Sequence, residues 1–325
     1  MTTISTIKLG IPGDIIRLSR IGLGTVPMSV VYGAVDDDES VKTLNHAIDI
    51  GCTFWDTADT YDLGHDERLL FRVLKKRRKE VFLCTKFGLT ARERKSGDGG
   101  NFIDYINGIN GKPDYVRQAA EDSLEHLGID YIDLYCIHRV DPTTPIEETV
   151  AAMAELVKEG KVRFVGLSKV TPDQIRRVHK IEYSAWSTHV KADGVLDTCR
   201  ELGITVVVYS PLGHGVLAGN IRNIDDLDKD DWRRTSSPFR PVNFENNLKL
   251  IDSFESMVKK YNRKPEQLAL AWLLAQYDNM IAIPRTKRSK YLEEDVVVGQ
   301  IKLSDDELQE LRKLVDIASI QGARY

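Results

Sequence analysis

A chain of 325 residues with 42% hydrophobic residues can bury a large core, and its length suits one (β/α)8 barrel with insertions. The formal net charge of −4 gives no electrostatic reason to expect nucleic acid or an anionic membrane as a partner. No apolar run approaches the roughly 20 residues of a membrane span, and the first residues do not resemble a signal peptide. The cysteines form no CxxC pair, which indicates buried thiols in a reducing compartment. We therefore expect a cytoplasmic protein and predict no metal site.

Short β-rich runs alternate with helical patterns from about residue 18 to residue 315. A small hairpin is predicted first, with strands at 7–10 and 15–18 joined through Pro12 and Gly13. Eight further runs are mostly continuous apolar stretches, as expected of parallel strands that are buried on both faces. They lie at 20–24, 53–58, 81–87, 131–138, 162–168, 181–186, 204–210 and 280–286. This alternation predicts a single α/β domain over residues 1–325, folded as a (β/α)8 TIM barrel.

The helical segments between the strands show both apolar periodicity and end signals. Ile146, Val150, Met153 and Val157 form one apolar stripe at helical spacing. The residues at 304–307, Ser-Asp-Asp-Glu, have the pattern of a capping box and predict the start of the last helix.

Two connections are longer than ordinary βα loops. One follows the third strand, over residues 88–112, and the other follows the seventh strand, over residues 213–243. Both leave the C-terminal ends of strands, which form the catalytic face of such barrels. We interpret them as loops on the substrate side; the alternative is a surface insertion with no role in the site.

Ionisable side chains recur at the predicted C-terminal strand ends. Asp56 ends the second strand and Tyr61 follows it, Lys86 lies near the end of the third strand, and His138 ends the fourth. A lysine is almost never fully buried without a partner, and a carboxylate on the neighbouring strand would pair with Lys86. Singly, Asp56 could be a helix cap and His138 a core histidine. Their meeting at one end of adjacent strands is what favours a catalytic site. No GxGxxG motif follows a strand, so a dinucleotide site of the Rossmann type is not predicted.

This set of side chains suits the reduction of a carbonyl group. A hydride that arrives at a carbonyl carbon leaves negative charge on the oxygen, which then needs a proton donor. A free tyrosine, with a pKa of about 10, is a weak acid at neutral pH, but a nearby ammonium group favours its phenolate. Asp56 would keep Lys86 charged and positioned, and His138 would orient the substrate oxygen through a hydrogen bond.

Several runs resemble the successive motifs of the aldo-keto reductase family, in the same order and across nearly the whole chain. They are WDTADTYDLGHDERLL, FLCTKFG, DLYCIH, VGLS, VVVYSPLGHGVLAG and IPRTKRSKYLEED. The runs IHRVDPTTPIEETV and PDQIRRVH are most similar to the branch that holds perakine reductase and its fungal relatives. The resemblance implies an NADPH-dependent enzyme that reduces an aldehyde or ketone to the alcohol, with hydride from the nicotinamide. It also implies a catalytic tetrad of Asp56, Tyr61, Lys86 and His138, in which Tyr61 supplies the proton.

The same resemblance implies where the NADPH or NADP⁺ cofactor binds. Contacts to the nicotinamide half would come from Gly24, Thr25, Ser168 and Tyr209, and contacts to the pyrophosphate from Ser210 and Leu212. The last βα loop would hold the adenosine half, through Arg285, Thr286, Lys287, Arg288, Lys290, Glu294 and Asp295. The four basic side chains of this loop suit the dianionic 2′-phosphate of NADP; the alternative is a solvated basic loop.

The chain departs from the family pattern at three places. Tyr291 replaces a frequent arginine that contacts the adenine or the phosphate, and Lys169 stands where asparagine is frequent. The stretch between Ser168 and Glu182 is shorter than usual and lacks the glutamine that binds the carboxamide. We therefore expect an abnormal sixth barrel unit, with a strand that begins late.

Two other functions are compatible with parts of this pattern. A non-catalytic barrel of the same family could act as a cofactor-sensing subunit, as in potassium channels. A Schiff-base aldolase could use Lys86, but the YSPLG stretch and the basic last loop argue against it, because an aldolase needs no dinucleotide. We expect a small-molecule carbonyl substrate and interpret three aromatic residues as candidates for its binding: Trp186, Trp232 and Phe239.

Overall fold

The N-terminal hairpin is the first element of the computed structural model, which describes residues 4–11, 14–29, 35–93, 102–171, 181–182, 194–219, 221–229, 231–317 and 320. Strand β1 (Thr6–Ile11) pairs antiparallel with β2 (Asp14–Ser19), with Thr6 opposite Ser19. The predicted hairpin is confirmed. Its two linking residues, Pro12 and Gly13, lie outside the described residues.

In the part of the chain that the structure describes, eight parallel strands follow, together with one antiparallel pair in an insertion. In chain order the strands are β3 (Leu23–Gly24), β4 (Phe54–Asp56), β5 (Phe82–Phe87), β6 (Leu89–Ala91), β7 (Ile106–Ile109), β8 (Ile132–Ile137), β9 (Val162–Leu167), β10 (Ile181–Glu182), β11 (Val206–Tyr209) and β12 (Met280–Ile283). The parallel strands pair in the orders β3-β4-β5-β8-β9 and β10-β11-β12. Two parallel bridges, Ile21 to Ala282 and Gly24 to Arg285, join β12 to β3. This is the predicted (β/α)8 barrel.

Helices alternate with these strands. They are α1 (Asp37–Asp49), α2 (His65–Arg77), α3 (Pro113–Leu127), α4 (Ile146–Lys158), α5 (Val195–Leu202), α6 (Pro241–Tyr261), α7 (Pro265–Leu274), α8 (Ser289–Val296) and α9 (Asp305–Ile317). The capping box before α9 is confirmed: Ser304 N donates to Glu307 Oε2 at 2.7 Å, and Glu307 N donates to Ser304 Oγ at 3.3 Å. No helix in the described ranges combines the length and the apolar composition that a membrane crossing requires.

The apolar stripe predicted on α4 is partly wrong. Met153 is buried as expected, but Val157 is 38% exposed, because the helix turns Ala152 and Leu156 toward the sheet instead. The buried face is therefore displaced by about one position from the predicted stripe.

The alternation of side chains along β5 explains why Lys86 points into the barrel near the C-terminal end of its strands. Successive side chains of a strand point to opposite faces. On β5, Phe82 and Cys84 belong to the interior cluster, whereas Leu83 packs toward the helices. Lys86 continues the inward-facing row one step further along the strand. The opposite end of the interior is covered by the hairpin, since Leu18 belongs to the same cluster.

The two predicted long loops adopt different structures. After β5, β6 pairs antiparallel with β7 and forms a second hairpin. After β11, the chain forms a series of 3-10 turns at Gly213–Ala218, Ile224–Asp226, Trp232–Thr235 and Ser237–Phe239. Both insertions leave C-terminal strand ends, as predicted.

The sixth barrel unit is described only in part. Strand β10 pairs with β11 through Ile181 opposite Val208 and Glu182 opposite Tyr209. Residues 172–180 and 183–193, where the preceding helix and the rest of the strand were expected, lie outside the described residues. The late start of this strand therefore stays a prediction.

Candidate active site

Lys86 is the centre of a buried ion pair at the C-terminal end of the barrel. Its Nζ lies 2.9 Å from Asp56 Oδ1, and the two side chains are only 5% and 4% exposed. The same ammonium group donates to the backbone oxygen of Thr57 and, at 3.1 Å, to the hydroxyl of Tyr61. An ammonium group has three N–H donors, so all of them are used. The lysine is consequently fixed in position with its charge directed at the Tyr61 hydroxyl.

His138 faces Tyr61 from the end of β8. The two ring centroids are 5.9 Å apart, and the rings are inclined at 79°. Burial lowers the pKa of His138 well below its ordinary value, and the nearby charges of Lys86, Lys169 and Arg139 lower it further. The imidazole is therefore neutral at neutral pH and carries one N–H. Its Nδ1 has no hydrogen-bond partner in the described part of the chain, and the ring can orient a ligand oxygen.

The side chains of Asp56, Tyr61, Lys86 and His138 line one wall of a cavity of about 500 Å³. Ile106 of the β6–β7 hairpin and Trp232 of the second insertion contribute apolar surface to it. Ser168 and Tyr209, two of the residues predicted to contact the nicotinamide, line the same cavity. Such a mixture of apolar walls and a few convergent polar groups is typical of small-molecule sites. Within the described ranges, no cluster of three His, Cys, Asp or Glu side chains is placed to hold a metal ion.

The aromatic residues predicted to bind substrate have different positions. Trp232 lies on the cavity, with its ring 5.1 Å from the ring of His214. Phe239 does not reach the cavity: it is 1% exposed and stacks on Phe244 in the core at a centroid distance of 5.6 Å. Its predicted contact with substrate is therefore replaced by a packing role. Trp186 lies outside the described residues.

A second cavity, of about 300 Å³, adjoins the first, and His214 and Arg285 line both. Ser210 and Leu212, predicted along the pyrophosphate, are on its wall. The backbone turns sharply there, with left-handed φ values of 51° at Ser210 and 58° at His214. This turn, which follows β11, brings both predicted residues onto one concave surface.

The basic loop after β12 forms the far wall of the second cavity. Arg285, Thr286, Lys287 and Arg288 all line it, beside Tyr291. Burial lowers the pKa of Lys287, and the charge of Arg288 lowers it further. Cations held this close repel one another, and a bound phosphate would relieve that repulsion. The donor set therefore fits the phosphates of NADP.

Three further residues predicted for the adenosine half lie outside this wall. Lys290 is exposed on α8, and Glu294 forms an ion pair with Lys264 at 2.6 Å. Asp295 is 4% exposed, and burial raises the pKa of its carboxyl group well above the ordinary value. Neither cavity is lined by any of the three.

Gly24 and Thr25 support the site without lining either cavity. A Cβ atom on Gly24 would lie 3.0 Å from Arg285 Cγ and 3.3 Å from the backbone oxygen of Ile283, so glycine permits the close junction of β3 and β12. Thr25 is completely buried, and its hydroxyl contacts Asp66 Oδ2 at 2.5 Å and the backbone oxygen of Asp56 at 3.0 Å. The Thr25 hydroxyl is therefore engaged with Asp66 and the Asp56 backbone, and the placement of Thr25 near the nicotinamide stays a prediction.

Three side chains near the site were not predicted from the sequence: His214, Arg233 and Asp66. His214 lines both cavities, and Arg233 donates to its backbone oxygen at 2.6 Å. Asp66 is fully buried and accepts hydrogen bonds from Thr25 and, at 2.6 Å, from Thr57. The histidine in YSPLGHG was a usable signal, but nothing in the sequence places Asp66 beside Thr25.

Comparison with known proteins identifies the family of the chain. The model of the Aldo/keto reductase family matches residues 20–316. The chain belongs to this family. It is therefore an oxidoreductase, and the motif resemblance found in the sequence is confirmed.

Relatives of this aldo-keto reductase match it over most of their length. Aldo-keto reductase str7 of Strobilurus tenacellus is 42% identical, covering 94% of this chain and 92% of the relative. Aldo-keto reductase yakc [NADP(+)] of Schizosaccharomyces pombe is 41% identical, covering 94% and 91%. Among solved structures, the glycerol dehydrogenase of Gluconobacter oxydans superposes with a TM-score of 0.84 at 26% identity, covering 98% of this chain and 97% of the other.

Proposed function

We propose that this aldo-keto reductase uses NADPH to reduce an aldehyde or ketone to the alcohol. The observation that carries the proposal is the contact of 3.1 Å between the Lys86 ammonium group and the Tyr61 hydroxyl, inside a cavity that can take a small molecule. Because the basic second cavity opens beside it, a dinucleotide and a substrate can meet at this point. The yeast relative with NADP(+) in its name supports the choice of cofactor.

The residues that would hold NADPH lie on the second cavity and at the boundary between the two. Arg285, Lys287 and Arg288 would bind its phosphates through charge-assisted hydrogen bonds, and Ser210 and Leu212 would lie along its pyrophosphate. When bound, NADPH supplies the hydride for the reaction.

The protein's own side chains manage the charge and the proton. Tyr61 donates its hydroxyl proton to the carbonyl oxygen as negative charge develops there. Lys86 stabilises the resulting phenolate. The carboxylate of Asp56, 2.9 Å from Lys86 Nζ, keeps the ammonium group charged. The neutral ring of His138 donates a hydrogen bond that orients the same carbonyl oxygen.

The environment of Lys86 argues against Schiff-base chemistry. A Schiff base requires a neutral amine with a free electron pair, as in lysines that are desolvated beside other cations. Lys86 instead contacts the carboxylate of Asp56 and has all of its N–H donors engaged. The site therefore favours proton donation by Tyr61 over covalent catalysis by Lys86.

The test is the oxidation of NADPH by the purified protein against a panel of aliphatic and aromatic aldehydes and ketones, with NADH measured alongside. We expect turnover with NADPH for several members of the panel. Tight binding of NADPH without turnover of any carbonyl compound would contradict the proposal and favour the cofactor-sensing alternative. Failure to bind either nucleotide would contradict both.

A further inference from the structure

The hydroxyl group of Thr43 joins helix α1 to the basic loop after β12. Thr43 lies in the middle of α1 and is completely buried. Its Oγ1 donates a hydrogen bond to the backbone oxygen of Lys287 at 3.1 Å, across 244 residues of the chain. Because a hydroxyl group has a single proton, Thr43 Oγ1 then accepts from the hydroxyl of Ser289, which is 3.4 Å away. One side chain of α1 therefore contacts both the basic loop and the first residue of α8.

This contact differs from the usual behaviour of a hydroxyl group inside a helix, which often bonds to the carbonyl oxygen four residues earlier. Ser40, on the same helix, follows that pattern, since its Oγ donates to the backbone oxygen of Asp36 at 3.0 Å. Thr198 does the same on α5, with Gly194 as the acceptor at 3.0 Å. Thr43 instead directs its proton to another segment of the chain, which indicates that it fixes that segment.

The segment that Thr43 contacts is a hydrogen-bonded turn that carries neighbouring cations. Thr286 Oγ1 accepts from the backbone N of Arg288 at 3.0 Å and donates to the Arg288 backbone oxygen at 3.2 Å. Burial lowers the pKa of Lys287, and the charge of Arg288 lowers it further, so these two cations are close enough to repel each other. The repulsion favours a shift of the turn that separates them. The hydrogen bond from Thr43 to the Lys287 backbone opposes that shift.

Helix α1 can act as a support because contacts hold it on two sides. His46 Nε2 lies 2.7 Å from Glu293 Oε1 of α8. Arg72 of α2 lies 2.6 Å from the carboxylate of Asp38, near the start of α1. A side chain in the middle of this helix therefore has a fixed position relative to the basic loop.

We propose that Thr43 is a positioning residue for the 2′-phosphate of NADPH. It lines neither cavity, but by holding the backbone of Lys287 it keeps the charges of Lys287 and Arg288 together on the wall of the second cavity. Cations that are already in place bind a dianionic group more tightly, because the loop does not have to be ordered on binding. NADH lacks this phosphate, so Thr43 affects the choice between the two cofactors. This inference rests on the proposed use of NADPH.

The test replaces Thr43 by valine, which has nearly the same shape and lacks the hydroxyl group. The ratio of the dissociation constants of NADH and NADPH, measured by fluorescence titration, should fall about three- to tenfold, as the loss of one hydrogen bond implies. Thr43→Ala should lower the ratio as well, whereas Thr43→Ser keeps the hydroxyl group and should keep the ratio close to that of wild type. Thr198→Val removes a hydroxyl group that is bonded within α5 and should leave the ratio unchanged.

Two further measurements show whether Thr43 acts through the basic loop. In a protein that already carries Lys287→Ala and Arg288→Ala, Thr43→Val should change the ratio no further, because the charges that it positions are gone. Calorimetric titration with adenosine 2′,5′-bisphosphate, compared with adenosine 5′-monophosphate, should show the same loss in Thr43→Val. These two probes contain no nicotinamide, so the result does not depend on the reaction.

The outcomes separate this inference from the proposed function. An unchanged ratio in both Thr43→Val and Thr43→Ala would overturn the inference and leave the use of NADPH standing. Equal weakening of both cofactors in Thr43→Val, or the same loss in the protein without the two cations, would also overturn it. If the wild-type protein binds NADPH and NADH equally, the proposed use of NADPH fails together with the inference. If the ratio responds as expected but no carbonyl compound is reduced, the proposed reaction fails and the role of Thr43 stands.

Discussion

Replacement of Lys86 by methionine should destabilise the protein strongly, in addition to abolishing its activity. The substitution leaves the carboxylate of Asp56 buried, at 4% exposure, without the ammonium group that lies 2.9 Å from it. Removing one partner of a buried ion pair typically costs about 3–5 kcal/mol, because the other charge remains desolvated. The free energy of unfolding of Lys86→Met, measured by urea denaturation, should fall by about this amount relative to wild type.

The double variant Lys86→Met with Asp56→Leu is the matched control. With both charges replaced by apolar groups, most of the lost stability should return, so the two substitutions should be strongly non-additive. The defect of the single variant should also shrink on acidification, since its unpaired carboxylate can then take up a proton. A loss below about 1 kcal/mol in Lys86→Met, or additive losses in the double variant, would refute the reasoning.

Three other substitutions test separate parts of the account. Arg288→Ala should weaken the binding of NADPH at least about tenfold and leave the binding of NADH nearly unchanged, because only NADPH has a 2′-phosphate. Fluorescence titration measures both affinities, and equal effects on the two cofactors would contradict the assignment of Arg288 to the 2′-phosphate. Burial raises the pKa of the Asp66 carboxyl group from 3.8 to about 7. Between these two pH values the folded protein therefore binds one more proton at this group than the unfolded chain does. Its free energy of unfolding should fall as the pH rises through this range. Asp66→Asn should remove that fall in urea denaturation at a series of pH values, and an unchanged profile would contradict it. Ser304→Ala should lower the free energy of unfolding by about 1 kcal/mol through loss of the cap on α9, and an unchanged free energy would count against that cap.

The barrel and the core of the site were predictable because their signals are local. Strands buried on both faces have continuous apolar runs, and every predicted strand coincides with an observed one where the chain is described. An exception such as Lys86 inside an apolar run requires a partner on a neighbouring strand. The end of the adjacent strand supplies that partner in Asp56, at 2.9 Å.

The remaining features depend on contacts between distant segments. Thr25 and Asp66 are 41 residues apart, and their hydrogen bond forms because the start of α2 lies beside the residues that follow β3 and β4. The hairpin of β6 and β7 lies in a stretch rich in glycine and charge, where periodicity carries little information. Phe239 was predicted to contact the substrate from its place in a long loop, but its stacking on Phe244 is a tertiary contact.

The central claim is that Tyr61 is the proton donor in the reduction of a carbonyl group, and Tyr61→Phe tests it most directly. Turnover of NADPH with an aldehyde should fall at least about a hundredfold, while the dissociation constant of NADPH stays close to that of wild type. Tyr131→Phe removes the same hydroxyl group at the opposite end of β8 and should keep full activity. Wild-type turnover in Tyr61→Phe, with NADPH bound normally, would contradict the account.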